Sequence, residues 1–185
     1  ETQAFNVDGL YQPFLSLLPQ GGHILDLGCG SGRDSKAFIN KGYTVTAVDG
    51  SAEIVKCAED YIGQPVFVST FQELSYHNLF DGVWASASLL HCPKVQMHDV
   101  LARIVLALKP NGVAYISFKW GKGETTDQRG RYFNNYTLET FQRLIDDIPE
   151  LTVLETWSET KPLRDSEQKW VNALVSKKAK GSESL

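Results

Sequence analysis

Residues 24–32 read Ile-Leu-Asp-Leu-Gly-Cys-Gly-Ser-Gly, an apolar run that contains Asp26 and leads into the alternating glycines Gly28, Gly30 and Gly32. The apolar run predicts a buried strand. The glycines predict a tight turn, because glycine adopts positive φ readily and lets a ligand approach the backbone without meeting a Cβ. The helix that we expect next presents free N–H groups and the positive end of its dipole. The stretch therefore predicts a strand, a turn and a helix that together accept a polar or anionic group.

The spacing of the glycines narrows the class of ligand. A dinucleotide-binding turn has the form G-x-G-x-x-G, which would place its third glycine at position 33, where this chain has Arg33. Here the third glycine is Gly32, and the turn has the form D-x-G-x-G-x-G. In this form the stretch resembles the first motif of the class I S-adenosylmethionine-dependent methyltransferases.

Composition and charge bound the remaining possibilities. The 185 residues are 42% hydrophobic and carry a formal net charge of −4, which suits one domain with a substantial core. The acidic balance argues against a broad nucleic-acid surface, and no stretch approaches the roughly 18 uninterrupted apolar residues of a membrane span. The unpaired spacing of Cys29, Cys57 and Cys92 indicates a reducing compartment, and no cluster of ligands predicts a metal. We expect a cytoplasmic protein with a small-molecule substrate and no nucleic-acid or membrane partner; its oligomeric state stays open.

Hydrophobic periodicity and turn residues divide the chain into alternating elements. Strands are predicted over 22–27, 43–48, 65–69, 79–86, 113–119, 151–158 and 169–177. Helices are predicted over 8–18, 33–41, 52–62, 93–108 and 138–147. A long loop is expected over 120–136, and a loop containing Pro162 and Arg164 is expected between the last two strands.

This order of elements predicts an α/β fold with a mostly parallel sheet and helices on both faces. The last two strands follow each other without a helix, so they should pair as antiparallel neighbours. The methyltransferase resemblance implies a Rossmann-like three-layer sandwich with a seven-stranded sheet of order 3-2-1-4-5-7-6. We expect a single domain over 1–177 and a disordered tail over 178–185.

The predicted cofactor site lies beyond the carboxyl ends of the strands, where ligands bind in open α/β sheets. Asp49 ends the second strand, and its carboxylate can accept both ribose hydroxyls, at about 1.5–3 kcal/mol for a hydrogen bond to a charged group. Capping of the next helix, beside Gly50 and Ser51, is the alternative role. The resemblance implies that Asp26 orients the glycine turn near the methionine moiety. The predicted cofactor-binding residues are Asp26, Gly28, Gly30, Gly32, Arg33, Asp49, Gly50, Ser51, Phe71, Gln72 and Ala85.

Two later segments extend this site. Thr70 stands where the family often has Asp, so its hydroxyl or the amides of Phe71 and Gln72 would contact adenine. Phe71 can stack on the adenine ring, and a place in the core suits it equally well. After the fourth strand, the small residues from Ala85 to Ser88 leave room for cofactor and acceptor.

Methyl transfer from a sulfonium mainly requires positioning, and a base is needed only where the acceptor must lose a proton. His91 is a candidate base, although it also suits an ordinary loop position. Cations that converge from separate segments suit an anionic acceptor such as a carboxylate or oxyanion. The predicted catalytic residues on the acceptor side are His91, Lys119, Arg131 and Tyr132, and further candidates are Arg164, Trp120, Trp157 and Trp170.

Four stretches carry a finer resemblance. Residues 28–35, 88–91, 117–121 and 130–133 are similar to a bacterial subgroup described as methyltransferases related to tellurite resistance. This similarity does not establish the acceptor.

Two other functions compete with methyl transfer. Tyr115 and Lys119 have the Tyr-x-x-x-Lys spacing of NAD(P)-dependent short-chain reductases, but that pair needs a helix and these residues lie in a predicted strand. A non-catalytic S-adenosylmethionine-binding module is the second alternative, because methyl transfer leaves no obligatory catalytic residue to look for.

Overall fold

The computed structural model describes residues 8–163 and 166–179. Within these ranges the helices are α1 (Asp8–Leu15), α2 (Arg33–Asn40), α3 (Ala52–Ile62), α4 (Met97–Ala107) and α5 (Leu138–Asp146). The strands are β1 (His23–Leu27), β2 (Thr44–Asp49), β3 (Val66–Val68), β4 (Phe80–Ala85), β5 (Leu108–Lys119), β6 (Glu124–Thr126), β7 (Tyr132–Asn134), β8 (Leu151–Leu163) and β9 (Ser166–Lys177). Short 3-10 turns cover Phe71–Glu73, Leu89–His91 and Lys94–Gln96.

The main sheet has the order β3-β2-β1-β4-β5-β9-β8. Strands β1 to β5 are parallel, and β9 runs antiparallel to both β5 and β8. Counted among the strands of this sheet alone, the order is 3-2-1-4-5-7-6, so the predicted α/β fold with an antiparallel last strand is confirmed. The strand order reverses between β1 and β4, which places the crevice for a ligand at their carboxyl ends.

The sheet is covered on both faces, because successive strand residues point to opposite sides. Ile24 and Trp84 belong to the core on the side of α1, α2 and α3. Leu25 and Val83 belong to the core on the side of α4 and α5. Each fully buried side chain of this size contributes about 1.5–3 kcal/mol relative to exposure. The central strands β1 and β4 therefore bury apolar side chains on both faces of the sheet, as the apolar run over 24–27 predicts.

The predicted loop over 120–136 contains a second, two-stranded sheet. Strands β6 and β7 pair antiparallel, with Glu124 opposite Asn134. The connecting turn is held by Asp127, whose carboxylate accepts hydrogen bonds from the backbone N–H groups of Arg129 and Arg131 at 2.9 Å each. Three-residue strands are too short for a periodic signal, which is why the sequence predicts a loop there.

The last two strands are longer than predicted. Pro162 lies inside β8, opposite Glu167, instead of in a connecting loop. An edge strand tolerates proline because its outer side forms no ladder hydrogen bonds, and β8 is at the edge of the sheet. Arg164 lies outside the described residues, as do residues 180–185 of the predicted tail.

Two further boundaries differ from the predictions. Helix α4 begins at Met97 rather than near Pro93, and α1 ends at Leu15. The chain between Pro93 and α4 forms a 3-10 turn instead. Among the described helices, none combines the length and the apolar character that crossing a bilayer requires.

Candidate cofactor and acceptor sites

The glycine turn connects β1 to α2 at the carboxyl edge of the sheet. Gly28, Gly30 and Gly32 all have positive φ, at 77°, 55° and 82°. The backbone N–H groups of Gly28 and Cys29 both donate to the carbonyl oxygen of Val48 at 2.9 Å. These bonds tie the turn to β2, so the local sequence and the neighbouring strand together determine its shape.

The surroundings of the three glycines differ. A Cβ at Gly28 would lie 2.5 Å from the Cβ of Ser88, and one at Gly32 would lie 2.6 Å from the Cδ1 of Ile62. At Gly30, a Cβ would meet no heavy atom within 4 Å. Gly28 therefore makes room for the segment after β4 and Gly32 makes room for α3, whereas Gly30 faces open space where a ligand can approach.

Asp49 ends β2 beside this open space. Its Oδ2 accepts the Gly30 N–H at 3.0 Å, and its Oδ1 accepts the Ser51 N–H at 3.0 Å. Ser51 in turn caps α3 by accepting the N–H of Ile54. A carboxylate has about four acceptor positions, so Asp49 holds the turn and the helix start and keeps acceptor capacity for the two hydroxyls of a ribose. Gly50 lies between these two bonded residues.

Asp26 is buried at the end of β1, with 3% of its surface exposed. Its Oδ2 accepts a hydrogen bond from the Ser35 hydroxyl of α2 at 2.6 Å. Burial raises the pKa of Asp26 to about 7, while the Ser35 hydrogen bond opposes the shift. The side chain thus joins β1 to α2, the two elements that the glycine turn connects.

Asp34, which the sequence analysis did not single out, forms a buried anchor next to the turn. It accepts hydrogen bonds from the Tyr11 hydroxyl at 2.6 Å, the Trp84 indole N–H at 2.8 Å and the Arg33 Nε at 2.7 Å. An acidic residue in the first turn of a helix suits the helix dipole and gives no signal of burial. Arg33 is mostly exposed and lies beside Asp34 rather than over the open space at Gly30.

The segment after β4 adopts an unusual backbone. Ala85 is buried. Ala87 has a φ of 50°, a backbone conformation that residues other than glycine rarely adopt. The Ala87 N–H donates to the Ser117 hydroxyl at 2.8 Å. The next residue, Ser88, is 6% exposed and lies against Gly28, and its hydroxyl has no hydrogen-bond partner among the described residues.

Phe71 and Gln72 lie in the 3-10 turn after β3. The edge of the Phe71 ring is 3.6 Å from the position that a Cβ of Gly28 would occupy. Phe71 also packs against the core on the α4 side. The Gln72 side chain donates to the Gln96 Oε1 at 2.5 Å, so it points toward α4. Phe71 thus borders the glycine turn, whereas the side-chain amide of Gln72 is bonded to Gln96.

The acceptor-side residues predicted from sequence converge on Phe133 of β7. The Lys119 ammonium lies 3.7 Å from the centre of the Phe133 ring, and the Arg131 guanidinium carbon lies 5.5 Å from it. The His91 ring centre is 5.1 Å from the same ring. His91 Nδ1 also lies 3.0 Å from the carbonyl oxygen of Tyr132. The packing of β7 against the end of β5 and the segment after β4, which the sequence did not predict, brings these four residues together.

The charges of this cluster are unequally neutralised. Arg131 forms an ion pair with Asp127 at 2.7 Å. The Tyr132 hydroxyl donates to Glu124, and burial with this partner raises the pKa of Tyr132 to about 12. Burial and the neighbouring Arg131 lower the pKa of Lys119. Lys119 is therefore the cation of this cluster that lies on an aromatic ring rather than on a carboxylate.

A cavity of about 350 Å³ lies between the end of β5 and the β6–β7 hairpin. Phe133 forms an apolar wall, and the polar lining is rich in donors. The lining residues are Lys119, Trp120, Gly121, Lys122, Thr125, Thr126, Asp127, Phe133, Asn135 and Gln168. Lys119 and Phe133 thus belong both to the cavity and to the cluster with His91.

The three candidate tryptophans have different surroundings. Trp120 lines the cavity, with the Lys169 ammonium 3.6 Å from its ring centre. Trp157 lies 6.1 Å from the ring of Tyr115 on the opposite core. Trp170 pairs with Lys119 across β5 and β9. Of the three, Trp120 is the one that the structure places at the cavity.

Tyr115 and Lys119 lie on strand β5, as the sequence predicts. The Tyr115 hydroxyl is buried and donates to Asn172 at 2.7 Å. Residues four apart on a strand are separated by about 13 Å along it, so the pair does not form the helical Tyr–Lys arrangement of a short-chain reductase.

Comparison with known proteins identifies the part of the chain that holds the glycine turn. Residues 24–112, which include Asp49 and Ser88, match the sequence model of a methyltransferase domain family. The match spans 89 of the 185 residues and assigns a methyltransferase domain to this part of the chain. The matched residues include the open space at Gly30 and the spare acceptor capacity of Asp49, which fit an adenosyl group.

The methyltransferase domain resembles both curated and solved proteins. A ubiquinone biosynthesis O-methyltransferase from Rickettsia canadensis is 32% identical over 99 residues, which are 51% of this chain and 41% of that protein. The chain thus matches less than half the length of this relative. A solved S-adenosylmethionine-dependent methyltransferase from Methanosarcina mazei has a TM-score of 0.82 and 20% identity, covering 92% of this chain and 99% of the other.

A second solved structure contains bound ligands. It is a 1,6-didemethyltoxoflavin-N1-methyltransferase from Burkholderia thailandensis with 1,6-didemethyltoxoflavin and S-adenosylhomocysteine. The TM-score is 0.77 and the identity is 22%, with 93% of this chain and 76% of that chain covered. Likeness at this identity establishes the shared fold, and a shared fold does not determine the acceptor.

Proposed function

We propose that the chain transfers a methyl group from S-adenosylmethionine to a small anionic molecule, which lies on the basic side of the β6–β7 hairpin. The observation that carries this proposal is the convergence of His91, Lys119 and Arg131 on Phe133. The short segment from Ser88 to His91 joins this cluster to the glycine turn. Donor and acceptor sites are therefore neighbours at one edge of the sheet.

On the cofactor side, we assign binding to the glycine turn and to Asp49. Gly30 offers an open backbone surface, and the Asp49 carboxylate accepts the ribose hydroxyls. Phe71 borders the turn and supplies an aromatic edge for adenine. Asp26 acts from beneath by orienting the turn through Ser35. The cofactor supplies a methyl group that is already activated as a sulfonium.

On the acceptor side, the chain's own residues bind and orient the substrate. Lys119 attracts an anionic group, and Phe133 provides an apolar wall against which the substrate packs and from which water is excluded. The carbonyl oxygen of Tyr132 can only accept a hydrogen bond, so Nδ1 of His91 carries the proton. The Nε2 atom of neutral His91 is then an acceptor that can take a proton from a substrate hydroxyl.

The names of two similar proteins support a small molecule as the methyl acceptor. The Rickettsia relative is named for ubiquinone biosynthesis and the Burkholderia enzyme for 1,6-didemethyltoxoflavin. The acidic net charge of −4 disfavours a nucleic-acid acceptor. The resemblance of residues 88–91 and 130–133 to tellurite-resistance-related enzymes is the reason to include metalloid oxyanions among the acceptors. The free thiols Cys29, Cys57 and Cys92 support a cytoplasmic site of action.

A methyl-transfer screen tests the proposal. The purified chain is incubated with methyl-labelled S-adenosylmethionine and a panel of small carboxylates, phenolates, thiols and metalloid oxyanions. We expect transfer to an anionic acceptor, with the rate reduced in Lys119→Met and retained in Lys56→Met, which removes an exposed lysine on α3. Binding of S-adenosylhomocysteine without turnover of any acceptor would favour a non-catalytic module. Preferential binding of NADH would contradict the proposal.

A further inference from the structure

We propose that the Ser88 hydroxyl is a hydrogen-bond donor to the methionine end of S-adenosylmethionine. The inference rests on the cofactor of the domain and is independent of the acceptor. It concerns a side chain that the sequence analysis treated only as small. The structure supplies three observations: an unpartnered hydroxyl, its position at the glycine turn, and a strained backbone that holds it there.

The first observation is the unpartnered hydroxyl itself. Ser88 is 6% exposed, and its Oγ has no hydrogen-bond partner among the described residues. Leaving a buried polar group without a partner costs about 1–3 kcal/mol, so native proteins satisfy nearly all of them. Ser117, a buried serine of neighbouring β5, follows this rule because its hydroxyl accepts the Ala87 N–H at 2.8 Å. A hydroxyl that lacks a partner in the protein alone is explained by a partner that arrives with the ligand.

The second observation is where the hydroxyl lies. Its oxygen is 3.2 Å from the position that a Cβ of Gly28 would occupy, so Ser88 borders the glycine turn directly. The sheet order is β2-β1-β4, with Asp49 at the end of β2 and Ser88 just beyond β4. A ligand whose ribose lies at Asp49 and which crosses the turn has its other end at Ser88. In S-adenosylmethionine that end carries a carboxylate, which accepts hydrogen bonds from hydroxyl groups.

The third observation is the backbone that positions the hydroxyl. Ala87 has a φ of 50°, a conformation that costs a residue with a side chain about 1–2 kcal/mol. The hydrogen bond from the Ala87 N–H to Ser117 holds this conformation. Such strain persists where the surroundings require it, and it concentrates at functional sites. Ser117 is thus a positioning residue, and Ser88 is the residue that touches the cofactor.

The experiment compares two buried serines that differ in their partners. Ser88→Ala and Ser117→Ala are measured for thermal unfolding without ligand and for binding of S-adenosylhomocysteine and of adenosine by calorimetry. For Ser88→Ala we expect an unfolding temperature at or above that of the wild type, because an unpartnered hydroxyl is removed. We also expect at least about tenfold weaker S-adenosylhomocysteine binding and unchanged adenosine binding. For Ser117→Ala we expect a lower unfolding temperature, because the Ala87 N–H loses the acceptor that holds the strained backbone.

The remaining outcomes decide against the proposal in distinguishable ways. Equal weakening of S-adenosylhomocysteine and adenosine in Ser88→Ala would place the hydroxyl at the adenosine end or give it a general packing role. Unchanged binding of both, or a loss of folding in Ser88→Ala, would show that the hydroxyl does not serve the cofactor. Failure of the wild-type chain to bind S-adenosylhomocysteine would contradict the cofactor assignment itself. Ser88→Cys, which keeps the volume with a weaker donor, should give an intermediate affinity.

Discussion

The Nδ1 atom of His91 lies 3.0 Å from the carbonyl oxygen of Tyr132, and this hydrogen bond joins the segment after β4 to the β6–β7 hairpin. Three residues earlier, Ser88 of the same segment lies against Gly28 of the cofactor turn. One short piece of chain therefore borders both the glycine turn and the cluster around Phe133. Changes at either side can be separated experimentally, because the contacts on the two sides belong to different residues.

The glycine turn predicts a contrast among three equivalent substitutions. All three glycines have positive φ, so each change to alanine costs about 1–2 kcal/mol of backbone strain. Gly28→Ala and Gly32→Ala add clashes with Ser88 and Ile62, whereas Gly30→Ala meets no atom within 4 Å. We expect Gly28→Ala and Gly32→Ala to lower the unfolding temperature more than Gly30→Ala does, and Gly30→Ala to weaken S-adenosylhomocysteine binding. Equal destabilisation by all three would contradict the separate roles.

Removal of the Asp49 carboxylate should weaken cofactor binding. Asp49→Ala deletes the acceptor of the Gly30 and Ser51 N–H groups and the acceptor for the ribose hydroxyls. We expect more than tenfold weaker binding of S-adenosylhomocysteine and also of adenosine, measured by calorimetry. Glu53→Ala removes an exposed acid from the first turn of α3 and serves as the control. Undiminished adenosine binding in Asp49→Ala would leave the carboxylate with a purely structural role.

Asp26 predicts a pH dependence of stability. Burial raises its pKa from 3.8 to about 7, so the folded chain holds a proton that the unfolded chain releases between these values. Unfolding free energy should therefore fall as the pH rises from about 4 to about 7 and then level off. In Asp26→Asn this slope should disappear, whereas the exposed control Asp60→Asn should keep it. Denaturant titrations at a series of pH values measure the difference, and parallel profiles for wild type and Asp26→Asn would refute the assignment.

Lys119 predicts a separation of acceptor binding from cofactor binding. Its ammonium lies over Phe133 and lines the cavity, so Lys119→Met should raise the KM for an anionic acceptor at least tenfold and leave S-adenosylhomocysteine binding unchanged. Burial and Arg131 lower the pKa of Lys119. As the pH rises, Lys119 should therefore lose its charge, and the anionic acceptor its affinity, at a lower pH than with an ordinary lysine. A change in kcat alone would argue against a binding role.

Asp34 predicts a large effect on stability. Asp34→Ala leaves the Tyr11 hydroxyl and the Trp84 indole N–H without their acceptor. A buried group left unpaired costs about 1–3 kcal/mol, so the loss should be at least about 2 kcal/mol in a denaturant titration. Asp34→Asn keeps one acceptor oxygen and should recover part of the loss. Equal stability of Asp34→Ala and the wild type would show that these contacts contribute nothing net.

Local sequence patterns predicted several secondary-structure elements of this chain and the turn between the first strand and the next helix. The strand and turn over 24–32 follow from an apolar run and glycine chemistry, and the helix over 52–62 follows from its Ser51 cap and Gly63 stop. The antiparallel last strand follows from two strands that no helix separates. These features depend on residues that are neighbours in the chain, which is why spacing alone reveals them.

Tertiary contacts decided what each site residue does. The sequence named His91, Lys119, Arg131 and Tyr132 separately, and the packing of β7 against β5 and the segment after β4 gathers them at Phe133. Strands of three residues have no periodicity to detect. The burial of Asp34 and the unpartnered hydroxyl of Ser88 likewise depend on residues far away in the chain. The sequence by itself determined the succession of strands and helices along the chain and the kind of turn, because these rest on local backbone preferences, whereas the order of the strands in the sheet was implied by the methyltransferase resemblance. The folded structure decided burial, charge pairing and convergence, because these depend on which distant segments come into contact.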